Sequence, residues 1–65
     1  MTEKPDYSAM TTNERLFTAG LLDAFDRAAG ARDRASMIDI LASVDIRAAD
    51  ETADAILANP RKYGF

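Results

Sequence analysis

The sequence predicts an all-α fold: a small three-helix bundle made of a helical hairpin, a shorter third helix and a C-terminal tail. Three observations carry that expectation. Alanine, the best helix former, is abundant, whereas Val44 is the lone valine. Apolar residues recur at three- and four-residue spacing, the period of one helical face. The three glycines and two prolines sit near the ends of apolar segments, with Gly20 as the exception.

Residues 1–10 read as a disordered tail. They mix charge, Pro5 and small polar residues without a repeating apolar position that could offset the entropy of ordering. Tyr7 is the one tail residue that could pack, with a chance aromatic as the favoured reading. The helical domain is expected to cover residues 11–65.

The first helix is expected to start at Thr11 or Thr12. Thr11 and Glu14 have the spacing of a capping box, with the threonine oxygen on the Glu14 amide and the carboxylate reaching back. Phe17, Leu21, Ala24, Phe25 and Ala28 continue a single face, with Leu16 and Leu22 on either side. Gly30 then suits the left-handed residue that follows a helix. Gly20 falls inside this span, where glycine costs about 0.8–1.0 kcal/mol relative to alanine. Close approach of another helix is the expected reason, and contact with a second chain the alternative.

The second helix restarts near Asp33, a residue type suited to the N-cap. Met37, Ile38, Leu41 and Val44 form its face and Ile40 widens it. The short connection Ala29 to Asp33 makes the pair a helical hairpin. Val44 to Arg47 reads as a loop that buries Ile46. In the third helix Asp50 and Glu51 favour the first turn through the helix dipole, and Ala49, Ala53, Ile56 and Leu57 mark the inner side. Pro60 disfavours α conformation in the residue before it, which ends the helix by Ala58 or Asn59. One more turn and a tail complete the chain.

Composition excludes much chemistry. The 65-residue chain has no cysteine and no histidine, which removes disulfides, thiolate metal sites, cysteine nucleophiles and Ser–His arrangements. Ser–Lys pairs would have to use Lys4 or Lys62, in the terminal segments. The carboxylate pairs Asp23/Asp26 and Asp50/Asp54 share helical faces but offer far fewer oxygens than calcium requires. The glycines stand too far apart to cradle phosphate. No catalytic residue, cofactor or metal is therefore expected, and the chain is read as a non-enzyme.

Charge argues against nucleic acid as a partner. The net charge is −3, and the third helix would offer Asp50, Glu51 and Asp54 to phosphates. The longest apolar-rich stretch, Leu16 to Phe25, is far too short to span a bilayer and is broken by Thr18 and Asp23. With an acidic, discontinuous N-terminal sequence, a cytoplasmic protein without membrane contact is expected.

The function expected is a protein–protein interaction module acting through a helical surface, as an adaptor, accessory subunit or regulator. The hairpin carries more large apolar residues than the third helix can cover, since that helix supplies only Ile56 and Leu57. Leu16, Leu22 and Ile40, at the margins of the faces, are candidate partner contacts. Arg27, Arg32 and Arg34 around the hairpin turn form a second candidate, for an acidic partner, with local pairing to Asp26, Asp33 and Asp39 as the plain alternative. Tyr63 and Phe65 are a third, and would otherwise close the open end of the bundle. Self-association completing the core is the leading alternative. An acidic mimic of nucleic acid using Asp45, Asp50, Glu51 and Asp54 is a weaker one.

Overall fold

A computed structural model of the chain describes residues 6–63. It has four α-helices where three were expected: α1 (Thr12–Thr18), α2 (Leu22–Gly30), α3 (Arg34–Ser43) and α4 (Ala49–Ala58), followed by a 3-10 turn, Pro60–Tyr63. α3 packs against α4 and α2, α1 against α2, and the 3-10 turn against α4.

The extra helix comes from Gly20. Its φ is +72°, a left-handed conformation that ends α1 and divides the expected first helix in two. The Gly20 amide donates to Phe17 O at 3.1 Å and the Leu21 amide to Leu16 O at 2.8 Å, the paired bonds of a Schellman cap. A Cβ at Gly20 would meet nothing within 4 Å, so the glycine is explained by its backbone angle and not by a closely packed helix.

The same cap ends the next two helices without glycine. Arg32 (φ 56°) follows α2, with Arg32 N–H on Ala29 O at 3.1 Å and Asp33 N–H on Ala28 O at 2.8 Å. Asp45 (φ 63°) follows α3, with Asp45 N–H on Ala42 O and Ile46 N–H on Leu41 O, both at 3.1 Å. Gly30, expected in the left-handed position, is instead the last residue of α2. The hydrogen-bond register moves that position on to Arg32.

The starts of α1 and α3 follow the sequence, whereas that of α2 at Leu22 was not expected and has no side-chain cap. Thr11 Oγ1 accepts from Glu14 N–H at 3.2 Å and Glu14 Oε1 from Thr11 N–H at 3.1 Å, the complete capping box. Asp33 Oδ1 accepts from Ser36 N–H at 3.3 Å, and Oδ2 from the Ser36 hydroxyl at 2.7 Å. No side chain caps α4, whose first turn holds Asp50 and Glu51.

Phe25, Leu16, Met37, Leu41 and Val44 are the largest fully buried side chains, and Ala49, Ala53 and Ile56 present the inner face of α4 to them. Fully burying such an aliphatic or aromatic side chain stabilises by about 1.5–3 kcal/mol. Of the expected tail, residues 1–5 lie outside the described residues. Tyr7 is 5% exposed and belongs to the core. Met10 N–H donates to Tyr7 O at 3.0 Å, closing a turn, and Arg15 Nε donates to Met10 O at 3.1 Å. Ring burial and these bonds offset the entropy of ordering so short a segment.

Candidate interaction surface

Because α1 is only 7 residues long and is flanked by turns, its two large apolar residues have different fates. Leu16 and Phe17 are adjacent, about 100° apart around a helix, so one facing inward turns the other toward solvent. Leu16 is completely buried, whereas Phe17 is 75% exposed. Phe17 shares a shallow concavity of about 330 Å³ with Met10, Asn13, Glu14, Thr18 and Leu22. Met10 and Leu22 are half-buried and pack on the core from the outside. The Thr18 hydroxyl donates to Met10 Sδ at 3.8 Å.

A second concavity, of about 380 Å³, adjoins this one through Asn13. Thr11, Thr12, Phe25, Thr52, Ile56, Lys62 and Tyr63 complete its wall. Tyr63 is 42% exposed, and Lys62 Nζ lies 5.8 Å from the centre of its ring, a distance at which a cation is attracted to the π face. The two exposed large hydrophobic residues of the described chain thus border two hollows that share Asn13 of α1.

The candidate residues named from sequence are scattered by the fold. Leu16 is inaccessible, because it is the one inward position of α1. Leu22 lies in the Phe17 patch, whereas Ile40 is half-buried against the core from α3. Phe65 lies outside the described residues. Arg27, Arg32 and Arg34 are all exposed, and two of them reach across to α4. Arg32 Nη2 donates to Leu57 O at 3.2 Å, and Arg34 grips Asp54 with Nε on Oδ1 at 2.7 Å and Nη2 on Oδ2 at 3.2 Å. The expected local partners Asp26, Asp33 and Asp39 are bypassed, because the turn directs these two arginines onto α4. Arg27 is exposed and makes no side-chain hydrogen bond among the described residues.

The surplus apolar face resolves in the same way. Phe25, Met37, Leu41 and Val44 are buried, and Leu21, Leu22, Ile38 and Ile40 are partly covered. Tyr7 from the N-terminal segment fills core volume that the third helix was expected to leave open. What remains exposed is Phe17, which the helical-face reading placed inside. The missed signal was Gly20 as a terminator: once the helix stops there, Phe17 and Leu21 no longer share a face.

Carboxylates involved in caps and pairs are held below their ordinary values. The Thr11 amide does this for Glu14, the Ser36 hydroxyl for Asp33 and the Arg34 guanidinium for Asp54. Asp54 in turn raises Arg34. These are structural uses of charge. Among the described residues no group of three His, Cys, Asp or Glu could hold a metal ion, and no helix is long and apolar enough to cross a membrane. No protein-family model, curated protein or solved structure matches the chain.

Proposed function

We propose that this domain is a small non-catalytic protein–protein interaction module whose contact surface centres on Phe17. The observation that carries the reading is the 75% exposure of a phenylalanine flanked by Met10 and Leu22, in a chain whose other described phenylalanine is buried. Exposed aromatic and methionine side chains are enriched where proteins meet, because they bury large area with adaptable shape.

Site-specific photocrosslinking tests this directly. A photoreactive phenylalanine at position 17, expressed in the native cells, is expected to give a discrete adduct with another protein. The same group at Asp39, exposed on α3, is expected to give none. Equal labelling from both positions, or none from either, would overturn the reading. Adducts formed only between copies of this chain would replace it with self-association.

A further inference from the structure

We propose that the Phe17 surface takes a basic amphipathic segment, a helix or short peptide with a large apolar anchor flanked by lysine or arginine. This rests on the interaction-module reading and adds the chemistry of the partner.

The inference comes from the charges around the patch. The concavity at Phe17 is lined by Glu14 and by no lysine or arginine. On α2, Asp26 stands one turn beyond Leu22 and so on the same helical face, with Asp23 further round; both are exposed. Arg27, at about 140° from Leu22 around the helix, faces away. Arg15, beside Glu14 in sequence, has its guanidinium committed to Met10 O, Val44 O and Asp45 O. An apolar centre of Phe17, Leu22 and Met10 therefore has Glu14 at its edge and Asp26 one turn along α2 from Leu22, with Lys62 as the one cation nearby, beyond Asn13 in the adjoining hollow.

That margin discriminates among occupants. Two copies apposed about Phe17 would offer each other margins of the same acidic sign and no complementary cation from within the patch, and like charges across an interface are disfavoured. An acidic peptide meets the same repulsion. A segment carrying Lys or Arg on either side of one Leu, Phe or Met places its anchor against Phe17 and its cations on Glu14 and Asp26. This is the groove mode of helix recognition, with charge fixing orientation.

The test uses the full chain, labelled with ¹⁵N, and two helical peptides of about 18 residues with leucine at i, i+3 and i+4 spacing. One carries lysine at the polar positions and the other glutamate. The lysine peptide is expected to shift the amides of Asn13, Glu14, Phe17, Leu22 and Asp26 saturably, and the glutamate peptide to leave them unmoved. Phe17→Ser should weaken binding by about tenfold or more. Glu14→Gln and Asp26→Asn should weaken it by about threefold each and reduce its sensitivity to salt. Glutamine at position 14 preserves the capping box, so helix loss does not confound that variant. Equal binding of both peptides, shifts centred elsewhere, or no binding of the lysine peptide would each overturn the proposal. If crosslinking from position 17 still captures another protein in those cases, the module reading stands and only the basic partner is lost.

Discussion

Arg15 Nη1 donates to Val44 O at 3.2 Å and to Asp45 O at 3.1 Å, so a residue of α1 closes the carboxyl end of α3 across 29 and 30 positions of sequence. Its Nε holds Met10 O, which tethers the Tyr7 segment. A cation at a helix C-terminus is favoured by both the dipole and the unpaired carbonyls there. One planar guanidinium thereby joins three pieces of chain that also meet in the core through Tyr7, Leu16 and Val44.

Replacing Arg15 with methionine keeps the apolar stem and removes all three bonds. The expected cost is about 2–3 kcal/mol, as carbonyls at a partly buried site lose charged donors. For a chain of this size that lowers the thermal midpoint by roughly 10 °C or more. Arg15→Lys should recover a minor part, since an ammonium cannot span both sites as the fork does. Amide exchange should accelerate at residues 7–10 and 44–46 together. Acceleration at only one of the two would separate the tether from the cap and refute the joint role.

Three left-handed caps give a second prediction, with opposite signs at two positions. Gly20→Ala imposes the left-handed penalty on an L residue and should destabilise by about 1 kcal/mol, although no atom obstructs the new methyl. Arg32→Gly relieves the same strain where φ is 56° and should raise the midpoint despite losing the bond to Leu57 O. Arg32→Ala, which loses the bond and keeps the strain, should lower it. Chemical denaturation of the three variants gives the order; if Arg32→Gly is less stable than Arg32→Ala, strain is not what distinguishes that cap.

These caps also explain how far the fold was legible in the sequence. The box at Thr11 and Glu14, the N-cap at Asp33 and the stop before Pro60 are local rules, and each reads directly from residue type and spacing. The break at Gly20 is masked in the sequence, because apolar residues on both sides continue a plausible single face from Phe17 to Ala28. The caps at Arg32 and Asp45 fall within connections the sequence marks, at Ala29–Asp33 and Val44–Arg47, but without a glycine the left-handed residue itself is not singled out. The arginine bonds to α3 and α4 are set by tertiary packing, beyond the reach of any helical-face argument. For the interaction surface, Leu22 was legible as a marginal residue. Phe17 belongs to the surplus apolar face of the hairpin but is not singled out from it, because an uninterrupted helix sets it on the inner side.

Tyr7 and Phe17 exchange the roles that their positions imply, and this is testable by truncation of each. Tyr7→Ala removes a buried ring, for which about 3–5 kcal/mol is typical of large aromatic-to-alanine changes. Phe17→Ala removes a ring that is mostly in water and should stay within about 0.5 kcal/mol of the parent. Circular dichroism melts of the two variants at one concentration suffice. A loss at Phe17 matching that at Tyr7 would make Phe17 part of a core, and would remove the premise that it is free for a partner.

Acid stability follows from the carboxylates in caps and pairs. Glu14, Asp33 and Asp54 have folded values below those of the unfolded chain, through the Thr11 amide, the Ser36 hydroxyl and the Arg34 guanidinium respectively. The Ser8 amide does the same for Asp6. The unfolded chain therefore binds protons more readily, and stability rises with pH while these groups titrate. Their contribution is complete above the unfolded range near pH 4 and is lost as pH falls through the lower folded values. The thermal midpoint should be level from about pH 7 to pH 5 and should decline below about pH 4. Glu14→Gln, Asp33→Asn and Asp54→Asn combined keep an oxygen acceptor at each site but remove the titration. That variant should start lower at neutral pH, where it lacks the charged acceptors, and vary less toward acid, so the two curves converge. Parallel curves across the whole range would assign acid sensitivity to the other carboxylates and not to these three.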